Sequence, residues 1–254
     1  MSKAIAVWGK DRVVHFLWQH VLLVISLYVM TLGVALCVRS CLGSSVISSL
    51  PMAFSMAGAD GLVPALTIGE YTNIMNMILV FAQIAVLRRR FEPVQLFQLL
   101  IGFLFGALID LNMALTSVFD YSSLPVQIAA QAVGCTVMAF GISMEVRCGS
   151  VTMPGEGIQV AVSRVTGMPF AKTKIIIDCT LVALAVASGY CFWGRWQWSI
   201  IGPGTLFAMF YVGWMVKVFG RHMAWFDRLL GYRPGFRRYV CGLARFIFTT
   251  TKGH

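Results

Sequence analysis

Arg39-Ser-Cys-Leu-Gly-Ser-Ser45 and Arg147-Cys-Gly-Ser-Val-Thr152 are two stretches of similar sequence, and each follows a long apolar run. Each leads into a short apolar segment, 46–56 in the first case and 158–165 in the second. These segments are too short to cross a bilayer, which takes about 20 apolar residues. Glycine permits irregular backbone, and serine or threonine can cap a helix start. The two stretches therefore predict a broken helix in each half of the chain.

The composition is that of a membrane protein. Mean hydropathy is +0.79, and only 12% of the residues are charged, whereas soluble globular proteins carry roughly 25%. Six apolar runs are long enough to span a bilayer: 16–38, 67–87, 94–118, 125–146, 170–193 and 200–219. We therefore predict an all-α membrane protein with six transmembrane helices and no separate soluble domain.

The Lys and Arg residues predict the orientation of these helices. If the N-terminus is cytoplasmic, 18 of the 20 cations lie in the inner loops and the two termini, and only Arg39 and Arg195 lie outside. This asymmetry follows the positive-inside rule. It explains the net charge of +10 better than nucleic-acid binding does, because no basic run is interleaved with aromatic residues. We expect a bacterial inner-membrane protein with both termini in the cytoplasm.

The segment order predicts an inverted repeat. Residues 16–118 and 125–220 each contain a span, a Gly/Ser stretch, a short helix and two further spans. In this register Asn76 corresponds to Asp178, and Gly106 corresponds to Gly213. Because each copy has three crossings, the second is inserted upside down. Inverted repeats of this kind are common in transporters, with substrate sites near the midplane.

Two terminal segments flank the repeats. Residues 1–15 form a cytoplasmic N-terminal segment, and residues 221–254 form a basic tail. From Phe236 onward, apolar residues recur in the tail at three- and four-residue spacing, which predicts an amphipathic helix on the inner interface. A disordered basic tail is the alternative.

We expect the Gly/Ser stretches to form a re-entrant substrate site. A helix start carries partial positive charge and free N–H groups, so two such ends would suit a small anionic or zwitterionic solute. The alternative is that both stretches are surface loops packed on the interface. The predicted substrate-binding residues are Gly43, Ser44, Ser45, Asn76, Gly149, Ser150, Thr152 and Glu156.

Ionisable residues within apolar segments indicate ion coupling, because a charge inside the membrane is costly. Asp110, Asp178 and Glu156 are the candidates to carry a proton or another ion. The alternatives are that Asp110 lies at the outer interface or neutralises a cation, and that Asn76 only holds helices together. Glu145 and Arg147 are expected to reach the inner interface by snorkelling.

Several short motifs resemble those of the YczE/YyaS/YitT-like bacterial integral membrane proteins. They are Cys41-Leu-Gly-Ser-Ser45, Gly106-Ala-Leu-Ile-Asp110, Gly149-Ser-Val-Thr-Met-Pro-Gly-Glu156, and Gly204-Thr205 with Gly213. The resemblance covers about residues 16–220, but Phe97-Gln98 stands where symmetry would place a second Gly-Thr pair. It implies a multipass inner-membrane protein of a mostly uncharacterised family, and transport is suggested by analogy of fold.

The leading functional prediction is a transporter or permease whose partners are the lipid bilayer and a small solute. A passive channel and a non-transporting accessory or scaffold protein remain open, as does a homodimer. We expect no enzyme, cofactor or metal. The four histidines lie toward the ends of the chain, and neither a His/Glu metal motif nor a Gly-x-Ser-x-Gly elbow is present.

Overall fold

The computed structural model describes residues 2–88, 91, 93–148 and 153–230, and over these residues all of its regular secondary structure is helical. Short 3₁₀ helices at Pro93–Leu96 and Thr116–Val118 flank the fourth α-helix. The α-helices in chain order are α1 (Ser2–Arg39), α2 (Val46–Ala59), α3 (Ile68–Leu87), α4 (Phe97–Leu115), α5 (Leu124–Cys148), α6 (Pro154–Thr166), α7 (Phe170–Trp193), α8 (Pro203–His222) and α9 (Ala224–Leu230). Gly149, Ser150, Thr152 and the predicted tail helix lie outside the described residues.

Five helices in the described ranges are long and apolar enough to cross a membrane: Trp18–Arg39, Ile68–Leu87, Phe97–Val118, Leu124–Cys148 and Lys172–Trp193. They coincide with the first five predicted spans, so the prediction of a multi-helix membrane protein is confirmed. α8 lies at the predicted sixth span and has 20 residues, but it is not among the five. α1 begins at Ser2 and continues unbroken to Arg39, so it includes most of the N-terminal segment predicted at 1–15. The cytoplasmic location of that segment stays a prediction.

The helix boundaries follow from local chemistry. At the start of α3, the Thr67 hydroxyl accepts from the Glu70 amide, and the Glu70 carboxylate accepts from the Thr67 amide at 2.8 Å, which is a capping box. α6 begins at Pro154, whose fixed φ suits the first helical turn. Gly167 ends α6 with φ +71°, a left-handed conformation that favours glycine. The two short helices predicted at 46–56 and 158–165 are thus present as α2 and α6.

The most extensive helix pair is α1 with α5. Two glycines let their backbones touch: a Cβ on Gly33 would lie 2.4 Å from the Met138 amide nitrogen, and a Cβ on Gly141 would lie 2.5 Å from that of Met30. Small residues of this kind let membrane helices approach closely, and dispersion contacts then hold them together. The α1–α5 crossing is therefore the centre of the packing.

The other helices are arranged around this crossing in matching ways. α4 packs on α1, and α8 packs on α5. The short helix α2 packs on α3 and α7, and the short helix α6 packs on the same two helices.

One helix–helix contact differs between the two halves: that of α3 with α4 in the first, and that of α7 with α8 in the second. α3 and α4 pack closely, and a Cβ on Gly106 would lie 2.2 Å from the Asn73 side-chain oxygen. α7 and α8 make little contact over their described residues. Gly213, which the predicted register equates with Gly106, has open space where its Cβ would be.

Candidate functional site

The first Gly/Ser stretch is joined to the start of α8. Gly43 has φ +116°, which turns the chain so that the Ser44 amide donates to the Ile200 carbonyl at 3.1 Å. The Gly204 amide donates to the Leu42 carbonyl at 2.8 Å. These contacts fix the start of α8 against the start of α2. The substrate-binding role predicted for this stretch, including Ser45, stays a prediction.

The starts of the two short helices lie beside each other. Ile47, in the first turn of α2, places its Cδ1 atom 3.6 Å from the point that a Cβ on Gly155 would occupy. Gly155 is in the first turn of α6. In the sequence, the second Gly/Ser stretch directly precedes this turn. Its predicted site residues, Gly149, Ser150 and Thr152, lie outside the described ranges.

A set of polar side chains from five helices surrounds the first two turns of α6, and we call it the α6 cluster. The three glutamines are almost fully buried, between 1% and 2% exposed. Its members are Gln83 of α3, Gln98 of α4, Glu145 of α5, Glu156 and Gln159 of α6, and Lys174 and Asp178 of α7.

Hydrogen bonds and one ion pair hold the α6 cluster together. The Gln159 amide nitrogen donates to Asp178 Oδ1 at 3.2 Å. Lys174 Nζ lies 3.1 Å from the other oxygen of Asp178. The Gln83 amide nitrogen donates to the Pro154 carbonyl at 3.1 Å. α3 and α7 are thereby both tied to α6.

Glu145 does not snorkel to the interface as predicted. It is 5% exposed, and its carboxyl group lies close enough to that of Glu156 for the two to repel each other. The prediction was wrong because α5 continues to Cys148, and the chain then returns as α6 beside this carboxyl group. Arg147 is also held by protein groups, since it bonds to the Asp227 carboxylate and the Gly220 carbonyl.

Glu156 lies in an environment that opposes its ionisation. Burial raises its pKa, Lys174 lowers it in part, and the negative charge of Asp178 raises it again. Burial penalises the charged form, and a neighbouring carboxylate does the same. Glu156 therefore retains its proton to a higher pH than an exposed glutamate does.

Three acceptor oxygens of the α6 cluster have no donor in the part of the chain that the structure describes. They are Oε2 of Glu145 and Oε1 of Gln98 and Gln159. An unsatisfied buried polar group costs about 1–3 kcal/mol. Gln131 of α5 is a useful contrast, because its nitrogen donates to the Gly204 carbonyl and its oxygen accepts from Ser40. Both polar atoms of Gln131 are thus hydrogen-bonded, whereas the α6 cluster has acceptor oxygens that could still accept a hydrogen bond.

Asp110 lies away from the α6 cluster. It accepts from the Thr67 hydroxyl at 2.6 Å and from the Gly69 amide at 2.9 Å, so it caps the start of α3. The cluster contacts α3 at Gln83, about 20 Å along the helix at 1.5 Å per residue. The buried Asn76 side chain packs against Gly102 of α4. Of the predicted coupling carboxylates, the structure brings together Asp178 and Glu156.

Five cluster residues were not predicted as site residues: Gln83, Gln98, Glu145, Gln159 and Lys174. Gln159 follows Glu156 by three positions, so the two share a helix face, and this spacing was a usable signal. Gln98 stands where a Gly-Thr pair was expected, and the departure from symmetry marked the position. Glu145 was noted as an ionisable residue near the end of an apolar segment, but it was assigned to the interface, because the groups that surround it come from other helices.

Comparison with known proteins leaves the function open. The chain matches the model of a family described as "Family of unknown function (DUF6198)" over residues 17–221. No curated protein and no solved structure matches the chain. The resemblance to YczE/YyaS/YitT-like proteins stays a prediction. Because the match covers most of the sequence, the chain belongs to the DUF6198 family, whose function is unknown.

Proposed function

We propose that this protein is a transporter for a small charged solute, built from two inverted three-helix repeats at 16–118 and 125–220. A short motif that occurs in both α1 and α5, where the two helices cross, supports the repeat. Met30-x-x-Gly33 in α1 and Met138-x-x-Gly141 in α5 have the same spacing. Each glycine packs on the methionine of the other helix, so exchanging the two halves reproduces the contact.

The remaining helix contacts support the same two-fold relation. Exchanging the halves converts the α1–α4 contact into α5–α8, and the α2–α7 contact into α6–α3. α8 then takes the place of α4 as the sixth span. Its 20 residues extend about 30 Å, which matches the hydrocarbon thickness of a bilayer. Both termini would lie in the cytoplasm, as the charge distribution predicts.

The α6 cluster is the observation that carries the proposal. Buried ionisable groups in a membrane protein are expensive and mark ion or substrate pathways. Here the carboxyl groups of Glu145 and Glu156 are close to each other, beside the neighbouring starts of α2 and α6. We propose that Glu145 and Glu156 exchange a proton during transport, with the Lys174–Asp178 pair holding α7 in place. Gly149, Ser150 and Thr152 would complete the solute site.

The difference between the α3–α4 contact and the α7–α8 contact favours a transporter over a scaffold protein. α3 and α4 are closed on each other, whereas their counterparts α7 and α8 are separated over the described residues. The two halves thus hold different conformations of one three-helix unit. Alternating access in inverted-repeat transporters uses movement of one repeat against the other.

A flux assay in proteoliposomes tests this proposal. Pyranine trapped inside reports proton movement when guanidinium, tetramethylammonium, glycine betaine or methanesulfonate is added outside. At least one solute should change the internal pH, and this response should be absent with Glu156→Gln and with protein-free liposomes. Asp120→Asn, in the exposed outer turn, should respond as the unmodified protein does. Solute flux without any pH change would favour a passive channel, and no flux of any solute would contradict transport.

Two neighbouring glycines of α6 provide a further prediction. A Cβ on Gly157 would lie 2.6 Å from Gln98 Oε1 and 2.7 Å from Gln83 Oε1, so Gly157→Ala must turn both carboxamides away. We expect about a tenfold loss of apparent solute affinity, equivalent to about 1.4 kcal/mol. The displaced atoms are side-chain ends, so the loss of stability should be limited to the hydrogen bond from Gln83 to Pro154, about 0.5–1.5 kcal/mol.

Gly155→Ala is the matched control in the same helical turn. Among the residues that the structure describes, its Cβ would meet only Ile47 Cδ1, at an ordinary contact distance of 3.6 Å. Flux in proteoliposomes and the melting temperature of both variants are the measurements. Equal effects of the two substitutions on apparent affinity would contradict a role for the Gln83 and Gln98 carboxamides.

A further inference from the structure

We propose that the α6 cluster binds a monovalent cation, either a metal ion or the positively charged group of the solute. The first support is the kind of atom left without a partner. Glu145 Oε2, Gln98 Oε1 and Gln159 Oε1 are all acceptors. A cation can satisfy acceptor oxygens, whereas an anion would add further acceptors beside unpartnered atoms that cannot donate to it.

The orientation of two of the carboxamides, those of Gln159 and Gln83, is fixed by their nitrogen atoms. Because the Gln159 nitrogen donates to the Asp178 carboxylate, its oxygen must be the atom left free. The Gln83 nitrogen donates to the Pro154 carbonyl, so its oxygen is also fixed. That oxygen and Gln98 Oε1 both approach Gly157, each within 2.7 Å of the point its Cβ would occupy. The amide oxygens thus converge on α6 beside Glu156.

The charges in the cluster favour a cation for a second reason. Lys174 is the cation that faces the carboxyl groups of Glu156 and Asp178, and it is paired with Asp178. The nearby Arg147 is bonded to Asp227 and Gly220. With Asp178 balanced by Lys174, two close carboxyl groups remain on Glu145 and Glu156.

Glu145 is buried and Glu156 is partly buried. Because the charge of one opposes ionisation of the other, one of the two tends to keep a proton. One proton on the Glu145–Glu156 pair leaves one negative charge, which a monovalent cation balances. Cys148 is the remaining titratable group close to Glu145. A monovalent cation can also take the place of this proton, which then leaves the carboxyl group and is released to solvent. The anionic solute predicted from the Gly/Ser stretches does not fit this charge.

Carbodiimide labelling of the purified full-length protein in detergent tests the proposal directly. Dicyclohexylcarbodiimide reacts with protonated carboxyl groups in apolar surroundings, and peptide mass spectrometry locates the adduct. We expect labelling at Glu145 or Glu156, reduced at least fivefold by Na⁺, K⁺ or guanidinium relative to N-methylglucamine, a cation too large for a buried site. Protection by Na⁺ or K⁺ identifies a metal ion, and protection by guanidinium alone identifies the charged group of a solute.

Labelling unaffected by all three cations would overturn the proposal. Asp120 is the internal control, since any reaction there should not respond to the cation. Gln159→Leu should weaken the protection about tenfold, whereas Gln127→Leu, the same substitution near the outer end of α5, should not. If Gln159→Leu fails to fold, the effect of the three cations on labelling of the unmodified protein still confirms or overturns the proposal.

This inference deepens the proposed transport function, but the two can fail separately. Cation protection without flux of any solute would leave the cation site standing and remove the transporter. Flux of methanesulfonate without cation protection would leave the transporter standing and remove the cation site.

Discussion

Gly141→Ala is expected to destabilise the protein strongly. The new Cβ would lie 2.5 Å from the Met30 nitrogen and 2.7 Å from its Cα, and backbone atoms of a packed helix cannot move aside as a side-chain end can. Overpacking of this kind costs about 1–3 kcal/mol. Gly33→Ala should have a similar effect, because its Cβ would lie 2.4 Å from the Met138 nitrogen. The measurement is the temperature at which the detergent-solubilised protein loses its monodisperse size-exclusion peak.

Gly213→Ala and Gly189→Ala are matched controls for this prediction. Both positions are helical, and neither has an atom within 4 Å of its added Cβ. Alanine is the better helix former by about 1 kcal/mol, so these variants should be as stable as the unmodified protein or slightly more stable. A melting temperature that falls equally in all four variants would contradict the close α1–α5 crossing.

Gly43→Ala is the second substitution with a large expected effect. Gly43 has φ +116°, and its Cβ would lie 2.6 Å from the Gly202 nitrogen and 2.5 Å from Thr205 Oγ1. The variant therefore combines backbone strain with a collision against the start of α8. Gly61→Ala separates the two effects. Gly61 also has a positive φ, +75°, but no described atom lies within 4 Å of its added Cβ. Gly61→Ala should therefore lower the stability only through backbone strain, by about 1–2 kcal/mol.

The Gly43 variant also separates two roles for the first Gly/Ser stretch. If the stretch mainly joins α8 to α2, alanine should lower the melting temperature well below that of Gly61→Ala. If the stretch lines a solute site, alanine should instead reduce solute affinity in the flux assay while the melting temperature stays near that of Gly61→Ala. Thermal melting and flux on the same preparation distinguish the two outcomes.

The helices themselves were predictable because their causes are local. Hydropathy placed the fifth span at 170–193, and α7 runs over Phe170–Trp193. The Gly/Ser stretches and Pro154 predicted that short helices would follow, since glycine, serine and proline act on the backbone within a few residues of their own position. α2 begins at Val46, directly after Ser45, and α6 begins at Pro154.

The α6 cluster was only partly predictable. Glu156 and Asp178 stood out because a carboxylate in an apolar segment is unusual in any fold. Asp110 stood out for the same reason, yet the structure uses it to cap α3 through Thr67 and Gly69. A charge in an apolar run signals that a partner is required, but it does not reveal which helix supplies that partner.

The amino-acid sequence alone determined the helical membrane class and the positions of the long helices. It also marked the two breaks, because each depends on neighbouring residues. Only the tertiary structure brought Gln83, Gln98 and Glu145 to α6, and only it set Gly33 and Gly141 against the methionines of the opposite helix. Those contacts join residues far apart in the chain, and their energies depend on how whole helices cross, which no local pattern encodes.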